Sequence, residues 1–259
     1  MLGAINEWAK AAVLEVQEYV RLCAASFRGM TSRPFYYRDL VEQFEQIGIG
    51  SLTVVLLTGL FTGAVLALQS GITLDQFGAR SVVGRLVGAS MVKELGPVLT
   101  ALMVTGRVGS GIAAELGSMM VAEQINALRA LGTDPIRKLV APRLWALLVS
   151  LPLLTVLADV LGIFGGWVTA VALYSVSSSV FISAVRDGIT TDDLVGGVVK
   201  PLVFSLIIGT IACRQGLSTE GGTVGVGRST TRAVVMASIV VIIADYFLAK
   251  ALQVILGTS

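Results

Sequence analysis

The sequence predicts an all-α integral membrane protein: an N-terminal interfacial amphipathic helix followed by five transmembrane helices, with a short cytoplasmic helix between the second and the third. Three observations predict this fold class. Of the 259 residues, 54% are hydrophobic and only 14% are charged. The apolar residues are concentrated in five long runs. The Lys and Arg residues collect in alternate connections between those runs, as they do in multi-pass membrane proteins.

The composition excludes several other classes of protein. Soluble domains carry about 25% charged residues, and disordered chains combine low hydrophobicity with high charge. The chain has no histidine, which removes the commonest metal ligand and general base. Its two cysteines, Cys23 and Cys213, lie far apart without a partner histidine, so neither a metal site nor a disulfide framework is predicted. A net charge of +2 gives no reason to expect nucleic acid, and no cofactor is predicted.

Each of the five apolar runs can cross a hydrocarbon core, which takes about 20 residues. The first run has no charge, whereas the second contains three charged residues before its last position, Glu115. The runs cover residues 47–68, 86–115, 144–176, 194–213 and 233–256. We therefore divide the chain into an N-terminal region, residues 1–46, and a five-helix membrane domain, residues 47–259.

The distribution of Lys and Arg predicts the orientation in the membrane. Residues 1–46, 117–143 and 213–232 share one side of the five-span topology and together hold twelve Lys and Arg. The opposite side holds three. Because cytoplasmic connections are enriched in positive charge, we expect a cytoplasmic N-terminus and a C-terminus on the outer side of the membrane.

The N-terminal region lacks the apolar core of a signal peptide, because acidic and basic residues interrupt it. Its apolar residues recur at helical spacing from Trp8 to Cys23, which predicts an amphipathic helix. We expect this helix to lie on the inner membrane surface; a cytosolic helix packed on another subunit is the alternative. Arg33 and Pro34 are expected to interrupt it, and the aromatic residues at 35–37 suit the interface.

Small residues at four-residue spacing let membrane helices approach closely. We expect these residues to build a compact bundle and a subunit interface, without assigning one set to the interface. The first run has Gly59, Gly63 and Ala67; the second has Gly106, Ser110 and Ala114 and a parallel set Gly109, Ala113 and Gly117; the third has Ala158, Gly162, Gly166 and Ala170.

Charges inside the runs mark candidate sites, because charge in the bilayer is costly and usually faces a partner or a cavity. Lys93 and Glu94 precede Pro97, which tends to kink a helix. This pair either lines a pocket open to the outer leaflet or is a snorkelling lysine beside a locally satisfied acid. Arg107 and Glu115, two turns apart, are predicted to make structural pairs with other helices.

Asp159 and Asp245 are single acids in the third and fifth runs. An acid in this setting can carry protons, but a hydrogen bond to a neighbouring Ser or Thr is the favoured expectation. We therefore class both residues as structural.

The two remaining cytoplasmic segments differ in character. Residues 123–131 form a predicted amphipathic helix that Gly132 and Asp134–Pro135 end. Its apolar positions, Ile125, Leu128 and Leu131, have no evident partner in so short a connection, and Glu123 and Arg129 take the polar face. Residues 216–232 contain five glycines and predict a loop, with Ser229, Thr230 or Thr231 capping the fifth helix. They lack the GxxxxGK[ST] pattern, and no Gly-Lys pair occurs in the chain, so no nucleotide site is predicted.

Two stretches carry a resemblance to a known family. Residues 93–143, KELGPVLTALMVTGRVGSGIAAELGSMMVAEQINALRALGTDPIRKLVAPR, resemble the signature of the MlaE permeases, and EGGTVGVGRSTTRAVV at 220–235 is similar to the family's second signature. These permeases are the membrane subunits of ABC transporters that work with MCE proteins. The resemblance covers roughly residues 40–256 and depends on a long first motif.

The resemblance implies a homodimer that binds a cytoplasmic ABC ATPase, in some systems a STAS-domain protein, and a periplasmic hexamer of MCE proteins, with phospholipid as cargo. It implies that Lys93, Glu94 and Pro97 border a lipid pocket at the dimer interface; family members often have Arg where Lys93 stands. It also implies that the segment from Glu123 to Asp134 is the helix that couples to the ATPase.

Two functions follow as hypotheses. The first is a phospholipid permease that is not itself an enzyme, because ATP hydrolysis belongs to a partner chain. The alternative is a proton-coupled secondary transporter that uses Glu94, Asp159 or Asp245. Five spans do not divide into two equal inverted repeats, which disfavours the alternative.

Overall fold

A computed structural model describes residues 2–31 and 36–256, and every regular element in those ranges is a helix. Five of the described helices are long and apolar enough to cross a membrane. They are Tyr37–Asp75, Arg80–Val121, Ile136–Tyr174, Thr191–Leu217 and Gly222–Ile255, here spans one to five. The predicted all-helical fold with five membrane spans is confirmed. Each span begins before its apolar run, because the preceding polar residues continue the helix, whereas span three ends at Tyr174, two residues before its run does.

Three further helices accompany the spans. The N-terminal helix, Leu2–Thr31, lies at what we call the basal end of the bundle; the opposite end is the distal end. The basal helix, Gln124–Ala130, joins spans two and three. The distal helix, Ser178–Gly188, joins spans three and four and was missed by the sequence analysis. Its sequence signal is the Ser177 side chain, which caps the helix by accepting from the backbone N–H of Val180.

The N-terminal helix packs across the basal ends of spans three and four. Glu18 forms an ion pair with Arg214, and the rings of Phe27 and Trp145 meet edge to face at 5.4 Å. The helix also exposes large apolar side chains: Leu14, Val16 and Val20. Arg33, Pro34 and Phe35, expected to interrupt the helix and to begin an aromatic group, lie outside the described residues.

The predicted glycine-rich loop at 216–232 is wrong. Only residues 218–221 lie between spans four and five, and span five begins at Gly222. Gly221 and Gly222 have positive φ angles of 87° and 67°, which explains why glycine is favoured at the turn. Gly225 is helical and lies against the backbone oxygen of Glu220, where a Cβ atom would be 1.9 Å away. Thr230 bonds to the Val226 carbonyl within the helix and is not a cap.

Spans one and three form the closest helix pair. A Cβ atom on Gly63 would lie 1.8 Å from the backbone oxygen of Gly162, and one on Gly59 would lie 2.6 Å from that of Ala158. The small residues of spans one and three therefore form a contact within one chain and are not available for a subunit interface. In span two, Gly117 packs on Thr219, whereas a Cβ on Gly106 would have no neighbour within 4 Å.

Span five is the most peripheral of the five. Only 17% of its apolar 18-residue stretch is buried, whereas 56% of the corresponding stretch of span four is buried. Its exposed side chains include Ile239, Ile243 and Phe247. This apolar face must be covered by lipid or by another chain, because water would not solvate it.

We predict that Gly63→Ala destabilises the chain. The added methyl group would push span one from span three, and overpacking of this kind costs about 1–3 kcal/mol. Gly227→Ala is the matched control, because a Cβ there meets no atom within 4 Å and Ala favours the helix. Thermal unfolding in detergent measures both variants. An unchanged melting temperature for Gly63→Ala would contradict the close contact.

Candidate functional site

The charged pair of span two lies in an irregular turn. Lys93 and Glu94 belong to a π-helical turn, Met91–Leu95, and the α-helix resumes at once with Pro97 in its first turn. Proline has no N–H, so the Lys93 carbonyl, four residues earlier, loses its usual helical donor. Single π-helical turns are frequent at functional sites. The irregularity expected at Pro97 therefore takes the form of a widened turn with an open carbonyl beside two charged side chains.

Lys200 of span four satisfies that carbonyl. Its Nζ donates to the Lys93 backbone oxygen at 2.9 Å and to Glu94 Oε2 at 2.5 Å, and it lies 3.0 Å from Asp245 Oδ1 of span five. The side chain is only 2% exposed. A buried ammonium needs acceptors for its protons, and span two supplies two of them, the Lys93 carbonyl and Glu94. Asp245 of span five adds an ion-pair contact that lacks hydrogen-bond geometry.

Sequence reasoning did not select Lys200 as a site residue. Lys200 lies beside Pro201 inside the fourth apolar run. The signal was present, because a lysine inside a membrane span requires a partner and four acids lie in the other apolar runs. No sequence spacing, however, identifies which acid approaches it.

A second ion pair extends the group toward the distal end. Lys93 Nζ lies 2.9 Å from Asp193 Oδ1. Asp193 is positioned by a capping box at the start of span four: its backbone N–H donates to Thr190 Oγ1, and its Oδ2 accepts from the Thr190 N–H. The capping box thereby holds the Asp193 carboxylate beside Lys93, because Oδ2 accepts from Thr190 and Oδ1 pairs with Lys93.

We call Lys93, Glu94, Asp193, Lys200 and Asp245 the charged cluster. The cluster contains two cations and three carboxylates. It borders a cavity of 150 Å³, whose other wall comes from Ala249, Leu252 and Gln253 of span five. The Glu94 side chain is 48% exposed, so the cluster has a buried centre and an accessible edge. Pockets for small ligands usually measure about 300–1,000 Å³, so this cavity is smaller than a typical ligand pocket.

The prediction that Asp159 and Asp245 bond to a neighbouring Ser or Thr is wrong. Asp245 pairs with Lys200, because span four brings a full charge next to it. Asp159 Oδ1 is buried and has no hydrogen-bond partner among the described residues. The nearby Thr155 hydroxyl donates to the Leu151 carbonyl instead. Asp159 packs against Gly96, where a Cβ would lie 1.7 Å from Oδ1, directly behind the π-helical turn.

Arg107 and Glu115 pair with other helices and not with each other. Arg107 Nη1 donates to the Gln46 carbonyl at 3.2 Å and to Ser51 Oγ at 2.9 Å, both in span one. Glu115 Oε1 lies 2.8 Å from Nη2 of Arg143, a buried residue of span three. Span two is thus tied to both of its neighbours near the basal end.

The basal helix has a different exposed surface from the one expected. Ile125 is fully buried in its own chain, whereas Leu131 is 80% exposed and Leu128 is half-buried. The prediction that Ile125 lacks a partner is wrong, because the helix folds back onto the bundle on that side. Glu123 and Arg129 are exposed on the same short helix and its start.

Local backbone chemistry sets the ends of this helix. Glu123 adopts a left-handed conformation with φ of 58° just before it, and Gly132 has φ of 76° just after it. Asp134 then accepts from the Ile136 N–H at 2.9 Å and pairs with Arg137 at 3.4 Å. The predicted stop at Gly132 and Asp134–Pro135 therefore coincides with the turn into span three.

Comparison with known proteins gives consistent results along most of the chain. The family model described as Permease MlaE matches residues 40–251. A probable ABC transporter permease protein of Rickettsia bellii is 39% identical over 253 residues, which cover 96% of this chain and 98% of the relative. The intermembrane phospholipid transport system permease protein MlaE of Haemophilus influenzae is 39% identical over 210 residues, or 81% of this chain and 80% of the relative.

A plant protein is also similar. The chloroplastic protein TRIGALACTOSYLDIACYLGLYCEROL 1 of Arabidopsis thaliana is 37% identical over 215 residues, which cover 83% of this chain and 61% of the relative. The family match covers spans two, three and four completely, most of spans one and five, and the charged cluster. The chain belongs to the MlaE permease family.

Proposed function

We propose that the chain is the permease subunit of an ABC transporter that moves phospholipids between the bacterial inner membrane and a periplasmic MCE protein. The charged cluster carries this proposal, because it places ionic groups at a partly open cavity inside a membrane bundle. The Haemophilus influenzae relative, a phospholipid transport permease by name, supports the same cargo.

The cluster suits a lipid headgroup. The Lys93 and Glu94 side chains are each about half exposed, so they offer one cationic and one anionic contact to a phosphate or an ammonium. The buried Lys200 forms an ion pair with the Glu94 carboxylate and so fixes its position. This preorganisation lowers the entropy lost on binding.

An apolar groove provides a place for acyl chains. The groove measures 680 Å³ and is lined by Leu57, Phe61 and Val65 of span one and by Leu95 of span two. Leu95 closes the π-helical turn that holds Glu94, so one turn borders both the ionic cavity and the apolar groove. A second copy of the chain would enclose the lipid between two such surfaces, which is the homodimer we propose.

The energy source lies in a partner. The sequence has no phosphate-binding loop, and relatives are called ABC transporter permease proteins. We infer that cytoplasmic ABC ATPase subunits dock on the exposed part of the basal helix, centred on Leu131 and flanked by Glu123, Arg129 and Asp134. A STAS-domain protein at the ATPase side and a hexamer of MCE proteins at the distal end complete the proposed assembly.

A proton-coupled transporter is disfavoured by the pairing of its candidate acids. Glu94 and Asp245 both contact Lys200, which assigns them to a fixed ionic group. Among the described residues, Asp159 Oδ1 is buried without a hydrogen-bond partner. The helices in those ranges include five spans, however, an odd number that does not form two equal inverted repeats.

We predict that Glu94→Gln reduces lipid transport by the reconstituted complex by about tenfold or more. The substitution removes a charge-assisted bond to Lys200, an interaction worth roughly 1.5–3 kcal/mol, and the anionic contact to the headgroup. Glu220→Gln is the control, because Glu220 is an exposed acid outside the cluster. Fluorescent phospholipid transfer in proteoliposomes with ATP measures both. Full transport by Glu94→Gln would refute the role of the cluster.

We predict that Leu131→Asp releases the ATPase while the permease still inserts. Burying a leucine contributes about 1.5–3 kcal/mol, and an exposed position can be changed without unfolding the chain. Ile182→Asp, 61% exposed on the distal helix, is the matched control and should keep the ATPase bound. Copurification of the ATPase with each tagged permease measures the effect. Undiminished copurification with Leu131→Asp would remove the basal helix from the docking surface.

We predict that the basal end faces the cytoplasm. The imbalance of twelve Lys and Arg against three favours this orientation. A periplasm-dependent reporter fused after Ser259 should be active, and the same reporter inserted at Gly221 should be silent. The opposite pattern would invert the topology.

A further inference from the structure

A second cavity lies at the basal end, away from the charged cluster. It measures 710 Å³ and runs between residues 42–50, at the start of span one, and the face of span two from Arg107 to Glu115. We propose that this basal cleft binds the phosphate of a phospholipid whose headgroup also carries an ammonium, with Arg107 as the phosphate ligand. The inference rests on the proposed lipid transport and adds a separate lipid site to it.

Two irregular turns hold Arg107 in place. Arg107 belongs to a π-helical turn, Thr105–Gly109, which faces a second π-helical turn, Glu45–Ile49, in span one. The second turn presents the Gln46 carbonyl, which accepts from Nη1 at 3.2 Å. Ser51 Oγ, on a buried residue, accepts from the same nitrogen at 2.9 Å. One edge of the guanidinium is therefore fixed by span one.

Gly50 makes room for the guanidinium. A Cβ atom at this position would lie 2.4 Å from Nη2 and 2.9 Å from Nη1 of Arg107. Any other residue would displace the group from its present position, since neither nitrogen can approach carbon so closely. The absence of a side chain at Gly50 is thus part of the binding geometry.

The other edge of Arg107 is available for a ligand. Within residues 2–31 and 36–256, the Nε and Nη2 atoms of Arg107 donate no hydrogen bond, and no carboxylate forms an ion pair with this residue. A guanidinium offers five N–H groups, and its Nε–Nη2 edge matches two oxygens of a phosphate. An exposed arginine in the interior of a membrane span calls for an anionic partner, and lipid phosphate is the anion available there.

The surrounding acids define the headgroup. Glu42 and Glu45 are exposed on the cleft wall, whereas Glu115 is already paired with Arg143. Neither Glu42 nor Glu45 forms an ion pair in the part of the chain that the structure describes. Two such carboxylates attract an ammonium and repel an anionic headgroup. A zwitterionic lipid with a primary ammonium can pair its phosphate with Arg107 and its ammonium with Glu42 or Glu45. Phosphatidylglycerol has a phosphate for Arg107 but no cation for the two acids.

The cleft and the charged cluster serve different ends of the bundle. Glu94 and Arg107 are thirteen positions apart in span two, which corresponds to about 20 Å along a helix. This separation places them toward opposite leaflets of a bilayer. The basal cleft therefore gives lipid of the basal leaflet its own binding position, distinct from the distal one.

Lipid retention by the purified full-length chain tests the proposal. Native mass spectrometry after titration with phosphatidylethanolamine or phosphatidylglycerol should show preferential retention of phosphatidylethanolamine by the unmodified chain. Arg107→Gln should weaken that retention by about tenfold, the loss of one charge-assisted bond. Arg186→Gln, an exposed arginine on the distal helix, is the control and should bind as the unmodified chain does. Equal retention of both lipids, or no effect of Arg107→Gln, would overturn the proposal.

A photo-crosslinker at Gly111 tests the position without altering Arg107. Gly111 lines the cleft, and a Cβ there meets no atom within 4 Å. The crosslinker should capture phosphatidylethanolamine, and Gly50→Ala, which displaces the guanidinium but keeps its charge, should reduce capture. Inorganic phosphate in millimolar excess should not compete; full competition would identify a site for free phosphate. Capture of a second copy of the chain in place of lipid would identify an interface and refute the lipid site.

The same crosslinker at Glu94 separates this inference from the proposed function. Lipid captured at Glu94 but not at Gly111 would refute the basal cleft and leave the transport proposal standing. Lipid captured at neither position would refute both.

Discussion

The buried ammonium of Lys200 is the interaction on which the arrangement of the distal half depends. It contacts the Lys93 carbonyl, Glu94 and Asp245, and so joins spans two, four and five at one point. Removing the carboxylate of Glu94 or Asp245 would leave the buried ammonium with fewer opposite charges, which disfavours its burial. Pro97 creates the opening for this interaction, because it deprives the carbonyl of a helical donor.

Irregular helical turns recur where the bundle carries charge. The turn Met91–Leu95 presents Lys93 and Glu94, and the turns Thr105–Gly109 and Glu45–Ile49 meet at Arg107. A π-helical turn redirects side chains and releases a carbonyl without ending the helix. Polar groups can therefore lie together at two heights along an otherwise apolar bundle. Each of the two proposed lipid sites contains a π-helical turn of this kind.

The glycine contacts divide the bundle into a tight part and an open part. Gly59 and Gly63 lock span one to span three, which leaves little freedom for movement between those two helices. Span five is mostly unburied within the single chain, although its Asp245 contacts Lys200. Movements that expose or enclose the charged cluster are therefore expected at spans two and five, next to the surface we assign to a second copy.

The sequence alone determined the number and order of the membrane spans, because apolar runs of this length have one stable form in a bilayer. It also located Lys93, Glu94 and Pro97 and the stop at Gly132, since each depends on local chemistry. Tertiary structure alone decided that Lys200 completes the cluster, across 107 positions from Lys93. It likewise buried Ile125 and made Gly225 helical. Such contacts are set by the packing of distant helices, and local periodicity carries no information about which residues they bring together.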